Sequence, residues 1–238
     1  MKLKFFIFLI LGAGLLACSG VYEISVTGEQ VEVNDSISSN NEIDSIIAPY
    51  QTEMSSKMNS VIAFAKNDFT KGRPNGSLNN WATDAVYVQQ VMDHEGMERP
   101  GPFICLLNVG GLRNPLSEGE ITLGDLYKLM PFDNEIVWVE LPWEVGDDIA
   151  AYMNASGGEP IAGASVEGDS LLFTGYSTPT ETFWVITSDY LMNGGDKMTF
   201  FEKQVYSEYS GTLLRDALIE QAQMQDTLLY NDEQRIRL

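Results

Sequence analysis

Histidine and cysteine are almost missing from this chain of 238 residues, which has one His (His94) and two Cys (Cys18 and Cys105). One His and so few thiols cannot build a zinc cluster. Cys105 sits inside the apolar run Phe103-Ile104-Cys105-Leu106-Leu107, where a lone thiol acts as a small hydrophobe. If Cys18 is used elsewhere, no disulfide is available. Basic residues are also scarce, with 14 Lys and Arg against 34 Asp and Glu, for a formal charge of −20. Such a surface repels nucleic acid and anionic lipid headgroups, so nucleic acid is not an expected partner. It repels small anions too. Any anion site must be locally basic against the global field, which makes the few arginines informative. There is no internal repeat, and no low-complexity block outside an N-terminal polar stretch. A content of 44% hydrophobic and 11% aromatic residues is enough for a core, and the length suits one globular domain.

The N-terminus reads as a targeting segment. Lys2 and Lys4 precede the apolar run Phe5–Leu16, which is short for a membrane span and suits a secretory signal. Leu15-Leu16-Ala17-Cys18 resembles the lipobox of bacterial lipoproteins. That resemblance implies a signal peptide over 1–17, lipidation of Cys18 and a membrane anchor through its acyl chains. The implied location is the bacterial cell envelope, periplasmic or surface-facing. Residues 18–41 then form a polar tether with one short strand at Tyr22–Val26, and the folded domain occupies 42–238.

Within the domain, apolar residues at spacings of three and four predict a helix over Glu42–Phe69, interrupted near Pro49. A second helix is expected over Leu78–Met92, a buried strand over Phe103–Asn108, and a short helix over Thr122–Met130 with Thr122 and Asp125 as a capping box. Further strands are expected at Glu135–Leu141, Leu171–Thr174, Thr182–Ser188 and Met198–Tyr206, and further helices at Trp143–Asn154 and Thr212–Gln225. Ser156–Val166 reads as a Gly-rich loop or hairpin. Helices and strands interleave without strict βαβ alternation, so the class is α+β with a mixed sheet packed by helices.

Four segments gather Gly, Asn, Arg and aromatics at element ends. In Leu106–Pro115 the strand runs into Asn108, then Gly110-Gly111, then Arg113. The glycines permit close backbone approach, and the guanidinium offers a fork for carboxylate or phosphate. In Gly119–Asn134, Phe132 follows Pro131 after a helix; such an aromatic is core or a stacking platform. In Asp189–Phe201, Asn193-Gly194-Gly195-Asp196 is a turn by local chemistry. If that loop folds back, Tyr190 and Asp196 share a cleft, with the carboxylate free to accept from ligand hydroxyls. In Lys71–Ala85, Lys71 and Arg73 stand before a helix start, where an anion is favoured or where they are simply solvated charge.

In order and spacing, these segments resemble the C-terminal domain of the 5'-nucleotidases. The matching stretches are Leu78-Asn-Asn-Trp-Ala-Thr-Asp-Ala85, Leu106-Leu-Asn-Val-Gly-Gly-Leu-Arg113, the run from Gly119-Glu-Ile-Thr122 to Leu126-Tyr-Lys-Leu-Met-Pro-Phe132, Ser188–Met198, and Thr212–Glu220. The resemblance implies that Asn108, Gly110, Gly111 and Arg113 contact a nucleotide. It implies that Phe132 and Tyr190 sandwich the base, and that Asp196, on the loop with Asn193 and Gly195, holds ribose hydroxyls. Arg73 stands one residue out of line with an upstream phosphate-binding arginine. The chain departs from the family pattern at the start of the second helix, where the usual preceding acidic residue is absent and Asn79 replaces a Gly, and at Leu141-Pro142-Trp143-Glu144, which leads into the helix expected at Trp143–Asn154.

In the same family a metallophosphatase domain supplies two metals and a catalytic His, which one His cannot provide. The resemblance therefore implies a substrate-recognition half without catalytic residues or cofactors of its own. Two divalent metals would belong to a separate metallophosphatase partner acting with this chain in nucleotide hydrolysis. Two alternatives stay open: a nucleoside-binding lipoprotein without turnover, and an interaction lipoprotein that has lost the ligand.

Overall fold

The computed structural model describes residues 28, 30–32, 34, 37–93, 99 and 101–238, except the side chains of 92 and 93. The expected signal peptide, Cys18, the strand expected at Tyr22–Val26 and His94 lie outside those residues. The chain divides into a unit ending at Ile46 and a unit running from Ile47 to Leu238. The described part of the first is an exposed segment that becomes helical at Asn41. The second holds every described strand.

Helix α1 spans Asn41–Met58, passes through Pro49 without a break and buries none of its residues. The end at Met58 and the unbroken passage through Pro49 correct the expectation of an interrupted helix reaching Phe69. Pro49 removes the N–H that would bond the Ser45 carbonyl, but Ser45 is exposed, so water can serve that oxygen. The helix stops where Ser60 donates its hydroxyl to the Lys57 carbonyl. The β-branched pair Val61-Ile62 then opens strand β1, Val61–Ala65, which pairs antiparallel with β3, Gly119–Thr122. Val61, Ile62 and Ala65 fit a helical spacing equally well, and a distant strand partner decides between the two states.

Helix α2, Ser77–Asp93, buries Leu78, Trp81, Ala82, Ala85 and Val86, the i, i+3, i+4, i+7, i+8 stripe of a core-facing helix. Strand β2 is Phe103–Leu106. Helix α3, Leu123–Leu129, begins with the expected capping box: the Asp125 N–H donates to the Thr122 hydroxyl (3.2 Å), and the Thr122 N–H donates to the Asp125 carboxylate (3.0 Å). Strand β4, Glu135–Pro142, is followed by helix α4, Val145–Ser156, which forms despite the unusual Leu-Pro-Trp-Glu lead-in and ends at Gly157 with φ 81°. The Gly-rich stretch contains two short strands, β5 (Ile161–Ala162) and β6 (Ala164–Glu167), before β7 (Ser170–Phe173) and β8 (Thr182–Ser188).

After β8 comes one turn of helix, α5, Asp189–Met192. Two 3-10 turns then span Gly195–Lys197 and Thr199–Lys203, where a strand over Met198–Tyr206 was expected. Met198, Phe200 and Phe201 are buried as a strand's apolar residues would be. The backbone instead closes tight turns, with Phe201 N–H bonding the Met198 carbonyl and Gln204 N–H the Phe201 carbonyl. Strand β9 begins only at Tyr206 and runs to Leu213, and α6 (Leu214–Gln225) and β10 (Ile236–Arg237) complete the described elements.

Five strands form the main sheet in the order β5-β2-β8-β4-β9. β2 and β8 are parallel, and the other neighbours are antiparallel. Both faces are covered. Ile136, Trp138, Cys105 and Ile186 face a core shared with α2, α3 and α6, whereas Val137, Val139, Leu141 and Val185 face one shared with α4, Phe200 and Phe201. Two-sided burial explains why β4 and β8 read as continuous apolar runs rather than alternating ones. Burial also pushes the Cys105 thiol well above its ordinary range, which keeps it an inert core group. The fold is α+β with mixed sheets, and no described helix is long and apolar enough to cross a membrane.

The capping box gives a direct stability test. Burial would raise the Asp125 carboxyl, but hydrogen bonds from Thr122 and the nearby Lys128 outweigh it and lower its pKa. Its contribution is therefore present above the ordinary carboxylate range and fades as pH falls through the depressed folded value. Thr122→Ala should cost about 1 kcal/mol in urea unfolding at neutral pH, and less in acid.

Candidate functional site

The cleft forms where the sheet pairing brings three chain ends together. β2 and β8 are parallel, with Cys105 opposite Ile186, so both leave the sheet at one end. β4 is antiparallel to β8, with Ile136 opposite Ser188, so β4 enters at that same end. Residues just after β2, just after β8 and just before β4 therefore meet. They are Asn108–Arg113, Tyr190–Asp196 and Phe132–Asn134. A cavity of about 360 Å³ lies between them, lined by Asn108, Gly110, Gly111, Arg113, Phe132, Asn134, Tyr190 and Asp196. The C-terminal end of parallel strands is a recurrent ligand position, and this volume lies within the range of about 300–1,000 Å³ typical of small-molecule pockets.

The Asp196 carboxylate is the hub. Asn108 Nδ2 donates to Oδ2 (2.6 Å), and the Tyr190 hydroxyl donates to Oδ1 (2.9 Å). The Asp196 N–H donates back to the Tyr190 hydroxyl oxygen (3.3 Å), so residue and ring brace each other across the loop. Asp196 has φ 50° and ψ 22°, and Lys197 after it has φ 66°. Left-handed backbone at non-Gly residues costs about 1 kcal/mol each and concentrates at functional loops. Gly195 is needed for contact: a Cβ there would lie 2.5 Å from the Tyr190 ring. Gly111 is similar, since a Cβ would lie 2.6 Å from Asn108 Oδ1. The Asn193–Asp196 stretch is thus no hairpin turn: it runs from the end of α5 into the 3-10 turn Gly195–Lys197.

Phe132 and Tyr190 are 40% and 47% exposed, unlike the buried aromatics of the core, and both offer ring surface to the cleft. Arg113 stands beside Phe132, its guanidinium 5.9 Å from the ring centroid, with one bond to the Gly110 carbonyl (3.3 Å). It forms no ion pair with a described carboxylate. In so acidic a chain, a cation on the cleft wall without a carboxylate partner supplies the local positive charge an anion requires.

Three of the residues singled out from sequence lie elsewhere. Arg73 is not on the cleft wall. Its Nε donates to the Gly158 carbonyl (2.9 Å), and its guanidinium is ion-paired with Glu159. Asn193 ends α5, with its amide on the Asp189 carbonyl (2.7 Å). Lys71 likewise donates to the Leu112 carbonyl (2.7 Å).

Sequence reasoning missed four residues. Asn134 lines the cleft two residues beyond Phe132, and the period-2 alternation entering β4 could have placed both on one side. Arg215 sits behind Phe132 and donates to its carbonyl (3.4 Å) and to Asp133 (2.6 Å), with its guanidinium 4.4 Å from the Tyr127 ring centroid. Glu159 is 1% exposed and accepts from the Val109 N–H (2.7 Å), which fixes the loop that carries Asn108. Its cation lies 86 residues away, so no local pattern announces the pair. Tyr152, on α4, donates its hydroxyl to the Asp196 carbonyl (3.0 Å). Burial, with the acids Glu159 and Asp196, pushes Tyr152 up to about 12 although Arg73 opposes the shift, so the hydroxyl stays a donor at ordinary pH.

Comparison with known proteins bears on the family and the fold. Residues 61–170 match the family model described as 5'-nucleotidase, C-terminal domain. The chain is 25% identical over 190 residues to an apyrase from Tabanus yao, covering 68% of this chain and 34% of that one. It is 27% identical over 146 residues to a 5'-nucleotidase from Vibrio parahaemolyticus, covering 58% and 24% respectively. The chain thus spans about a third or less of these curated relatives. Among solved structures, a 5'-nucleotidase precursor from Thermus thermophilus superposes with a TM-score of 0.66 at 21% identity, over 83% of this chain and 43% of that one. The NAD nucleotidase of Haemophilus influenzae gives 0.59 at 15% identity, over 83% and 41%. The family resemblance carried by the motifs is borne out, as is the α+β class.

Removing the Glu159 carboxylate tests the support beneath the cleft. Glu159→Ala strips the Val109 N–H and Arg73 of their shared partner, and should lower stability by about 2 kcal/mol in urea unfolding. Glu159→Gln, which can still accept from Val109, should lose less.

Proposed function

We propose that this 5'-nucleotidase C-terminal domain is a nucleotide-recognition module that presents its ligand to a metallophosphatase carried on a separate chain. The observation that carries the reading is the convergence, in one cleft, of two exposed aromatic rings, a guanidinium without a carboxylate partner and a loop carboxylate. Each matches one part of a nucleotide. Phe132 and Tyr190 give stacking faces for the base, Asp196 with Asn108 gives a hydrogen-bonding pair for the ribose hydroxyls, and Arg113 gives a cation for phosphate. Asn193 and Gly195 act by shaping the loop, and Arg73 acts from behind through Glu159.

The chain's single histidine supports assigning the metal centre to the partner. A pair of divalent metals there would supply the activated water and the Lewis acid, and this chain would supply orientation. Positioning of reacting groups is worth roughly 7–11 kcal/mol of barrier in favourable cases. A lipid on Cys18 would hold the module at a cell-envelope membrane on its periplasmic or outer side, beside a partner acting in nucleotide catabolism.

Two measurements test this. Calorimetry with a nucleoside and nucleotide panel should give binding that Phe132→Ala and Tyr190→Ala each weaken by about 1–3 kcal/mol, the usual loss for a stacked base. Absence of heat and of thermal shift across the panel would remove the reading. Adding the purified chain to the metallophosphatase should raise the nucleotidase rate. Binding without any gain in rate would instead mark a nucleoside receptor with no turnover.

A further inference from the structure

The side chain of Asp196 is explained by Asn108 and Tyr190, but its backbone is not. A non-Gly residue at φ 50° needs something to keep it there. Gly194, at φ 86°, turns the chain before it, and Lys197, at φ 66°, follows in the same strained region. The bond that reaches this segment from a rigid element is the Tyr152 hydroxyl, which donates to the Asp196 carbonyl at 3.0 Å. Tyr152 lies in the third turn of α4, a helix anchored in the core through Val145, Ile149 and Met153. Its ring packs edge-on against Phe200 at a centroid distance of 5.6 Å. The side chain therefore has a fixed seat and a fixed direction, independent of the loop it holds.

We propose that Tyr152 is a positioning residue for sugar recognition: by holding the Asp196 carbonyl, it fixes the backbone rotation that aims the carboxylate into the cleft. This rests on the nucleoside reading above and adds to it a residue outside the cleft wall, with a specific effect. Losing the hydroxyl frees the Asp196 peptide but leaves Phe132, Tyr190 and Arg113 in place. The base should bind as before, and only the discrimination for vicinal hydroxyls should fall. The raised Tyr152 pKa is consistent with this, because the donor persists across the working pH range.

The test compares adenosine with 2',3'-dideoxyadenosine by calorimetry on the full chain and on its Tyr152→Phe, Asp196→Ala and doubly substituted forms. In the unsubstituted chain adenosine should bind more tightly. Tyr152→Phe should weaken adenosine about three- to tenfold, the range expected for one hydrogen bond, and leave the dideoxy ligand unchanged. In the Asp196→Ala background the same substitution should add nothing, because the two act through one group. Equal weakening of both ligands would indicate ordinary structural support and overturn the proposal, and so would an unchanged ratio. Asp196→Ala provides an arm that does not depend on Tyr152→Phe folding: a ratio unchanged there also overturns it. Loss of the proposal alone shows as an unsubstituted chain that binds both ligands equally, whereas an unsubstituted chain that binds neither overturns the nucleoside reading as well.

Discussion

Everything at the cleft depends on one pairing, the parallel contact of β2 with β8 inside an otherwise antiparallel sheet. Parallel neighbours leave a sheet at the same end, and an antiparallel third strand enters there. That rule alone delivers Asn108, Tyr190 and Phe132 to one place, although they are far apart in the chain. The register is protected by burial on both faces. A slip of β4 by one residue would exchange Trp138 and Ile136 for Val137 and Val139 between two cores of different shape. The cleft is therefore as rigid as the sheet at its floor. What can vary is the Asp196 loop, which is strained, exposed and tied down from two directions.

Electrostatics sets a second constraint. A chain with a formal charge of −20 offers a poor general environment for an anion. Its described arginines are mostly spent on structure: Arg73 on Glu159, Arg235 on Asp84 and Arg237 on Glu167. Arg215 braces Phe132 from behind, and Arg99 stacks between Trp138 and Trp184. Arg113 is the exception on the cleft wall. Screening confines the surrounding negative field to a range of about 8–10 Å at physiological ionic strength, so one well-placed guanidinium can dominate locally.

Most of the candidate cleft's lining was legible in the sequence because most of it lies at element ends. Asn108, Gly110, Gly111, Arg113 and Phe132 follow or precede elements whose periodicity or capping chemistry is plain, such as the Thr122–Asp125 box. The failures share one cause. The helix expected to reach Phe69 and the strand expected at Met198–Tyr206 were read from apolar spacing, and apolar spacing reports burial before it reports backbone shape. Phe200 and Phe201 are buried as required, on 3-10 turns. The supporting residues were illegible for another reason. Glu159, Tyr152 and Arg215 act on residues 50, 44 and 83 positions away, a separation at which no window of sequence contains both partners.

The cleft's hydrogen-bonded state bears on how a ligand would gain affinity there. Asp196 already accepts from Asn108 and from Tyr190, so a ribose hydroxyl offers a third donor to a carboxylate that is not short of partners. Exchanging or sharing such bonds nets little, about 1 kcal/mol, whereas covering two half-exposed aromatic rings removes apolar surface from water on both faces of a base. On the proposed nucleoside reading, affinity should then come mainly from Phe132 and Tyr190, and selectivity from Asp196, whose carboxylate is prearranged for one further donor that a ligand lacking the hydroxyls does not bring. Such a division would account for rings that stand at the mouth on simple loop ends beside a carboxylate braced by Asn108, Tyr190 and Tyr152 together. Stacking tolerates small displacements, and a hydrogen-bond acceptor does not.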